Sequence, residues 1–557
     1  MKNRYYIVAF LIIAITVYVL AMPVGGTLSL RLSRALAEPS TNARAQALVG
    51  HSAAVASLWV SPAAPLQLRE LAGSWGLPAA KDSQSAALRL DIAGEADAGS
   101  TWVYALVAPF PTVPDAVTFN QLSASWKGTP AGPFAGQPLL MDPSTLAAFT
   151  TLWGEPAPGA VKTIGADQLV EAAWEQRPSW AIVPFENLNP RWKVLAVDGQ
   201  SPIAKDFELY GYHLMQASFD YPLAVRFMLK CSWPCPLGKP PVLPSTNRDP
   251  ARMTTLVMTG VTALVRATAF TMNIKGITYP GRDIRDWLVG ADITHISNEV
   301  PFAADCPPPD PSQTKRLVFC SDPRYMDLLK YVGADVVELT GNHYADYGPE
   351  AMLLSLKMYA DNSMTHYGGG ANLDDARKPL LFENKGNRFA FIGCNSVDIG
   401  RIPTATETRP GAAPCDYEYM TSQIRQLRAQ GYIVIASFQY YETYDPTPFD
   451  QQMQDFRLMA DAGASIVQGS QAHNPQSLEF RDGSLIHYGL GNLFFDQMGD
   501  ASTPTRREFI DRHVFYDGRY ISTELLTAEL EDYARPRPMT PDERSTFLAQ
   551  YFGLSGW

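Results

Sequence analysis

The chain has little positive charge for its size. Its 557 residues carry 45 Lys and Arg against 56 Asp and Glu, which gives a formal net charge of −11. This balance argues against a nucleic-acid binder and against a protein held on anionic lipid by charge alone. The hydrophobic content of 46% and the aromatic content of 11% argue against a mainly disordered chain. The length predicts two or three domains.

Cysteine is also scarce. The six cysteines form three pairs that are close in sequence: Cys231 and Cys235, Cys306 and Cys320, and Cys394 and Cys415. An even count in a secreted chain predicts local disulfides in this sequential order. A zinc site is the alternative for Cys231 and Cys235, but neither a second such pair nor a suitably spaced histidine accompanies them.

An uncharged run of twenty residues, 5–24, follows Lys2 and Arg4. It is long enough to span a bilayer, so we predict a signal anchor or transmembrane helix over residues 1–27. The alternative is a cleaved signal peptide, although the best small-residue cleavage site, at 35–37, lies well beyond the run. The expected location is therefore the cell membrane, in a single pass, with the bulk of the chain extracytoplasmic.

Beyond the anchor, the composition divides the chain. Residues 28–54 are rich in Arg, Ala and Ser and are interpreted as a stalk, and a Pro-rich junction over 231–252 separates domains at 55–247 and 248–557. In the first domain, strand-like segments at 102–107 and 181–185 flank a helix-like segment at 166–174, which is typical of α/β. The segments VYALVAPFPTVPDAVTFNQLSASWKG and WAIVPFENLNPRWKVLAVDGQSP resemble periplasmic substrate-binding domains of the phosphate type. A purely structural spacer domain is the alternative.

The second domain is organised around a loop that holds Asn342 and His343. A β-branched segment at 334–339 predicts a buried strand before the loop, and apolar residues at helical spacing after Pro349 predict a helix. Polar residues follow other predicted strands at 296–299, 438–442, 468–473 and 488–492. In α/β folds such strand ends carry the site, and Asn and His suit metal or phosphoryl chemistry. The alternative is a helix-capping Asn342 and a packing His343.

Five further segments carry a family resemblance. They are TGVTALVR (259–266), SNEVP (297–301), YGGGANLDDARKP (367–379), DAGASIVQGSQAH (461–473) and IHYGLGNLFFDQ (486–497). Together with GNHYADYG (341–348), they are similar, in order, to motifs of the CapA-type capsule-synthesis family, which includes poly-γ-glutamate synthesis proteins. That family resembles calcineurin-like metallophosphoesterases. The resemblance therefore implies a four-layer α-β-β-α sandwich for residues 248–557.

The resemblance also implies a set of site residues. Metal-ligand candidates are Glu299, Asn342 and His473, with His343 as a general acid and Asp346 as its orienting partner. Other candidates are Arg266, Glu442 and Ser470; Arg266, His343 and Ser470 are the alternative set, for an anion without metal. The non-functional alternatives are that Asp346 caps a turn, that Glu442 is a solvated loop acid, and that Arg266 lies along the sheet. The other six histidines are interpreted as structural: His51, His213, His295, His366, His487 and His513.

Several family positions depart from the pattern. Val261 stands where the family has its first aspartate, Phe438 where it has a histidine, and Ser297 where it has an asparagine. Ser470 and Gln471 replace histidine-type positions before His473. Two divalent cations that lie a few ångström apart need an anionic bridge, and valine cannot ligate. The sequence therefore predicts a degraded site that holds no metal or one divalent ion, either Mn, Fe or Zn.

Three functions follow from these residues. The first is a membrane-anchored capsule-family protein that binds or presents an anionic polymer or precursor. The second is a single-metal hydrolase that cleaves phosphoesters or a polymer. The third is a scaffold whose first domain senses a small anionic ligand. No nucleic-acid partner is expected.

Overall fold

The structure is a computed structural model that describes residues 57–93, 99–220, 242–313, 315, 317–396, 403–497 and 504–557. The predicted anchor, the stalk, Cys231, Cys235 and His51 lie outside these residues, as does the side chain of His213. The described residues all belong to one compact unit. The predicted boundary near residue 248 stays a prediction.

The amino-terminal part is built on one mixed sheet. Its strands are β1 (Leu58–Val60), β2 (Leu88–Ile92), β3 (Ser100–Pro109), β5 (Leu139–Met141), β6 (Val161–Thr163), β7 (Trp180–Pro184), β8 (Trp192–Val194) and β10 (Gln216–Asp220), with β4 (Ala116–Val117) paired to β9 (Ala196–Val197). The sheet order is β1-β2-β10-β3-β7-β5-β6, with β8 also on β3. The helices are α1 (Leu66–Gly73), α2 (Phe119–Trp126), α3 (Pro143–Trp153) and α4 (Leu169–Glu175). The predicted strands at 102–107 and 181–185 and the helix at 166–174 are thus confirmed as β3, β7 and α4.

The carboxyl-terminal part contains a nine-stranded and a six-stranded sheet. The first has the order β15-β14-β13-β11-β25-β26-β27, with β12 beside β13 and β24, and the second the order β17-β18-β20-β21-β23-β22. The strands are β11 (Met253–Met258), β12 (Val261–Thr262), β13 (Ile293–Asn298), β14 (Val336–Glu338), β15 (Thr365–Tyr367), β16 (Gly369–Gly370), β17 (Leu380–Asn384), β18 (Asn387–Asn395), β19 (Gly411–Ala412), β20 (Ile433–Thr443), β21 (Ile466–Ala472), β22 (Leu478–Arg481), β23 (Ser484–His487), β24 (Asn492–Phe494), β25 (Arg507–Tyr516), β26 (Arg519–Glu531) and β27 (Arg535–Pro538).

Eight helices belong to the described residues of this part. They are α5 (Arg266–Lys275), α6 (Arg285–Val289), α7 (Met326–Tyr331), α8 (Gly348–Asp361), α9 (Leu373–Ala376), α10 (Tyr417–Ala429), α11 (Asp450–Asp461) and α12 (Pro541–Leu554). One apolar cluster joins α5, α7 and α8 to the first sheet, and another joins α10 and α11 to the second. A third cluster lies between the sheets and contains Leu256 and Phe515 of the first and Phe391 and Ile435 of the second. The layers therefore follow the order α-β-β-α.

The pattern of burial explains why these strands pack as they do. Every residue of β11, β13 and β21 is buried, as expected for strands that are covered on both faces. The pairs β11–β13, β13–β14, β18–β20 and β20–β21 are parallel, so their carboxyl ends meet at the same edge of each sheet.

Two of the predicted disulfides are confirmed: Cys306–Cys320 and Cys394–Cys415.

Candidate functional site

The loops and strand ends here bring two of the predicted site residues, Glu299 and Asn342, together with Gln471. Glu299 follows β13, Asn342 follows β14, and Gln471 lies at the end of β21. All three side chains accept a hydrogen bond from the same donor, the side-chain amide of Gln439 on β20. Polar side chains from the ends of three strands thus meet at Gln439.

Gln439 is a candidate-site residue that the sequence analysis did not identify. Its Nε2 atom lies 3.3 Å from Glu299 Oε1 and 3.1 Å from Asn342 Oδ1, and it also donates to Gln471 Oε1. Gln439 and Glu299 are both buried. Successive strand residues point to opposite faces, so this period of two was the available signal. On β20 it places Ser437 and Gln439 on one face and Phe438 on the other.

Phe438 therefore does not face the site, although the family comparison placed a ligand there. Its ring stacks on Phe456 of α11 at a centroid distance of 4.5 Å and faces Tyr417 at 6.3 Å. The side chain belongs to the apolar layer beneath α10 and α11. The residue that the strand directs into the site is Gln439, and the departure from the family chemistry is better assigned there.

Val261 lies in β12, a short strand of the first sheet beside the site. It begins the two-residue strand β12, where it pairs with Ser297 on one side and with Asn492 on the other. Its side chain is fully buried. A carboxylate at this position would lie between two polar strand ends, whereas valine supplies only hydrocarbon and no ligand.

His343 and Asp346 form a hydrogen-bonded pair. His343 Nδ1 lies 2.7 Å from Asp346 Oδ2, which also accepts the backbone N–H of Phe319 at 2.7 Å. Because an ionised carboxylate only accepts hydrogen bonds, Nδ1 carries the hydrogen in the neutral ring and Nε2 keeps its lone pair. The His343 side chain is 16% exposed. The pair is thus arranged for proton transfer or for binding through Nε2.

A disulfide holds the residue that supports this pair. The bond between Cys306 and Cys320 closes the loop that ends in Phe319, whose ring lies 4.7 Å from the His343 ring. We expect a Cys306→Ser, Cys320→Ser double variant to lose about 3 kcal/mol of unfolding free energy, because the unfolded chain is no longer cross-linked. Urea unfolding of the oxidised wild type and the variant measures this difference. A Cys306→Ser, Cys320→Ser variant as stable as the wild type would contradict the prediction.

His473 has a comparable arrangement. Its Nδ1 atom lies 2.8 Å from Asn492 Oδ1, while Asn492 Nδ2 donates to the backbone oxygens of His473 and Thr505 at 3.1 and 3.3 Å. These two bonds orient the amide of Asn492, so its oxygen accepts from Nδ1–H and the lone pair of His473 lies on Nε2. Asn492 orients His473 much as Asp346 orients His343.

Arg266 links the two histidines. Its guanidinium carbon lies 5.3 Å from the centroid of Phe319 and 5.1 Å from that of Phe495. Phe319 contacts His343, and Phe495 contacts His473 at 5.1 Å. We call His343, Phe319, Arg266, Phe495 and His473 the ring row. It brings the two predicted histidines and Arg266 into one continuous patch.

The charge of Arg266 is balanced within the protein. Its Nη2 atom lies 2.5 Å from Asp496 Oδ1, and Asp496 Oδ2 also accepts the N–H of Ala267 at the start of α5. Arg266 has a φ of 43°, a left-handed conformation that is uncommon for a residue with a side chain. In the part of the chain that the structure describes, its buried Nε has no hydrogen-bond partner. One donor of the guanidinium is therefore unused.

The remaining candidates are less central. Ser470 Oγ lies 3.1 Å from Ser297 Oγ and so connects the two sheets beneath the site. Glu442 is exposed and accepts a hydrogen bond from the hydroxyl of Tyr444 at 2.5 Å. Ser470 is thus buried beneath the site. Glu442 is solvent-exposed, as the non-functional interpretation of this residue expects.

The side chains present do not fit a two-cation centre. Val261 supplies no bridge, and the Gln439 amide nitrogen lies between the oxygens of Glu299 and Asn342. Across the described residues, no three His, Cys, Asp or Glu side chains are grouped so as to hold a metal ion. The site instead contains one buried carboxylate, that of Glu299, among amides, hydroxyls and two oriented imidazoles, beside an arginine paired with Asp496.

Comparison with known proteins finds a family model that matches this region. Residues 255–497 match the model of the family described as bacterial capsule synthesis protein PGA_cap, so this part of the chain resembles that capsule-synthesis family. This chain is 33% identical over 171 residues to the PGA biosynthesis protein CapA of Bacillus subtilis, and the matched segment covers 30% of this chain and 45% of that protein. It is 24% identical over 305 residues to the capsule biosynthesis protein CapA of Bacillus anthracis, and that match covers 54% of this chain and 72% of that protein.

Solved structures show weaker likenesses. Haemophilus influenzae NAD nucleotidase has a TM-score of 0.32 and 9% identity, with 54% of this chain and 56% of that chain covered. An ABC-type phosphate transport receptor from Vibrio cholerae has a TM-score of 0.25 and 11% identity, with 30% and 85% covered.

Proposed function

We propose that this protein binds or presents an anionic, carboxylate-bearing polymer or its precursor during capsule synthesis, without hydrolysing it. The observation that carries this proposal is the buried Val261 at the end of β12. A two-metal phosphoesterase needs a bridging anion between its cations, and this strand end has none to offer. The family of residues 255–497 and the names of its relatives, which refer to capsule and PGA biosynthesis, support the polymer class.

The ring row is where we place the ligand. The Nε2 lone pairs of His343 and His473 accept hydrogen bonds from amide N–H groups of a polymer, and the guanidinium of Arg266 donates to its carboxylates. Since Asp496 neutralises Arg266, an incoming carboxylate competes with Asp496 for the guanidinium rather than meeting a free positive charge. We therefore expect weak binding to each unit of the polymer, strengthened by repetition along the chain.

Anchoring in the cell membrane, with the bulk of the protein extracytoplasmic, is part of this proposal. It rests on the uncharged run at residues 5–24, and it is supported by the Cys306–Cys320 and Cys394–Cys415 disulfides, which persist in oxidising compartments. Among the described residues, no helix has the length and apolar character needed to cross a bilayer.

A single-metal hydrolase is the second candidate. The hydrogen bond between His343 and Asp346 favours it, because such a pair can orient a general acid or base. A ligand-sensing scaffold is the third candidate and rests on the predicted substrate-binding-like domain alone.

Binding and turnover measurements on the full chain in detergent distinguish these functions. We expect a γ-linked glutamate oligomer to bind in the presence of EDTA, and a His343→Ala, Arg266→Gln double variant to bind at least about tenfold more weakly, because it removes two hydrogen-bonding partners. Isothermal titration calorimetry measures both. Arg425→Gln, on the exposed face of α10, is the matched control for the removed charge.

Two results would contradict the proposal. Stoichiometric Mn, Fe or Zn together with phosphomonoester turnover that is lost in His343→Ala would identify the hydrolase. An oligomer that fails to bind the wild type would leave the scaffold.

A further inference from the structure

In the polar cluster around Gln439, three side-chain oxygens converge on one nitrogen. The carboxylate of Glu299 and the amide oxygens of Asn342 and Gln471 all lie within hydrogen-bonding distance of one nitrogen, Gln439 Nε2. A side-chain amide carries two hydrogens, so it cannot serve three oxygens at once. The oxygens therefore converge on a point as ligands do around a cation.

Glu299 makes this arrangement costly. Its side chain is only 2% exposed, and Gln439 Nε2, at 3.3 Å, is the one side-chain donor that the described residues place on its carboxylate. In this part of the chain no Lys, Arg or His forms an ion pair with Glu299. A buried carboxylate normally needs a paired charge or several hydrogen bonds. A neutral amide compensates this charge only in part.

We propose that the amide nitrogen of Gln439 acts as a built-in substitute for a divalent cation, and that this cluster is a latent oxygen-ligand metal site which Gln439 closes. The matching ions are hard divalent cations such as Mn²⁺ and Mg²⁺, because the converging atoms are carboxylate and amide oxygens. A carboxylate in place of the Gln439 amide removes the donor and adds a fourth oxygen ligand. The inference goes beyond the proposed function, because the cluster does not include the ring row.

The test is to open the site with Gln439→Glu and to titrate Mn²⁺ into the full-length protein. We expect one Mn²⁺ to bind the variant at least about 100-fold more tightly than it binds the wild type, because two carboxylates and two amide oxygens then face the ion. The loss of the free Mn²⁺ signal in electron paramagnetic resonance measures binding directly. Thermal unfolding provides a second readout, since Mn²⁺ should raise the Tm of this variant and leave that of the wild type unchanged.

Three controls separate this effect from general charge. Gln426→Glu adds the same charge on the exposed face of α10 and should not change Mn²⁺ affinity. Gln439→Met removes the donor without adding a ligand and should bind Mn²⁺ much more weakly than Gln439→Glu. Glu299→Gln in the Gln439→Glu background should abolish the gain.

The outcomes are decisive in both directions. A wild type that binds Mn²⁺ as tightly as Gln439→Glu would overturn the inference, as would a folded Gln439→Glu protein without a gain in affinity. If Gln439→Glu folds only when Mn²⁺ is present, the metal dependence of folding itself supports the inference. If Gln439→Glu fails to fold both with and without Mn²⁺, Gln439→Ala is measured in its place. A folded Gln439→Ala protein that binds no more Mn²⁺ than the wild type would then overturn the inference. Polymer binding in EDTA is independent of these outcomes, so failure of one proposal does not imply failure of the other.

Discussion

A Gly260→Ala variant is expected to lose at least about 3 kcal/mol of unfolding free energy, because a backbone contact leaves no space for a side chain. A Cβ atom on residue 260 would lie 2.0 Å from the carbonyl oxygen of Gly491 and 2.7 Å from its carbonyl carbon. Both are main-chain atoms, and the same oxygen accepts the N–H of Val261 at 3.0 Å. Relief of the contact would therefore separate β12 from β24, and Val261 and Asn492 would move with these strands.

Urea unfolding of the purified variants measures this effect. The matched control is Gly553→Ala in α12, where a Cβ atom would have no heavy atom within 4 Å. That substitution should be neutral or stabilise the protein by up to about 1 kcal/mol, since alanine is the better helix former. Equal stabilities of the two variants would show that the approach of β12 to β24 is not needed for the fold.

The second large effect is a loss of stability in mild acid caused by two buried histidines. Burial lowers the pKa of His295 to about 3. Burial also lowers the pKa of His513 to about 4, with the nearby His487 acting in the same direction. His295 lies between the sheets, where its Nε2 atom is 2.9 Å from the hydroxyl of Tyr367.

The sign follows from proton binding. In the unfolded chain a histidine has a pKa of about 6.5, so below that pH the unfolded state binds protons that the folded state excludes. Stability is therefore fully present above pH 6.5 and falls between pH 6.5 and the folded pKa values of about 3 and 4. Each histidine should contribute a loss of about 2.5 kcal/mol between pH 7 and pH 4.5.

Buried carboxyl groups oppose this trend and must be separated from it. Glu338 Oε2 lies 3.5 Å from His295 Nε2, and burial raises the pKa of the Glu338 carboxyl, which contributes stability at low pH that is lost as the pH rises. The informative quantity is therefore the difference between wild type and variant. In His295→Gln and in His513→Gln, the decrease in unfolding free energy from pH 7 to pH 4.5 should be smaller by about 2.5 kcal/mol than in the wild type. Unchanged pH dependence in both variants would show that these rings are not kept neutral by burial.

Prediction from sequence worked where a local pattern determined the result. The β-branched segment before Asn342 and the helical spacing after Pro349 correspond to β14 and α8. The spacing of Cys306 and Cys320 correctly predicted their disulfide. In these cases residues close in sequence interact, so their order along the chain carries most of the information.

Prediction was weaker where the partner is distant in sequence. Asp496 neutralises Arg266 from 230 positions away, and Asn492 orients His473 across a loop. For β20, alignment with a family motif drew attention to Phe438, whereas the alternation of the strand directs Gln439 into the site. The amide of Gln439 is notable only beside Glu299, which is 140 positions earlier.

The amino-acid sequence alone carried the family resemblance: motifs in a set order, buried strands that end in polar loops, and an aliphatic residue where the family has an acid. Only the tertiary structure decided which side chains of those loops hydrogen-bond one another and which charges they balance. The physical reason is that hydrogen bonding and charge compensation depend on distances of about 3 Å between atoms, and such distances are set when strands from two sheets pack together.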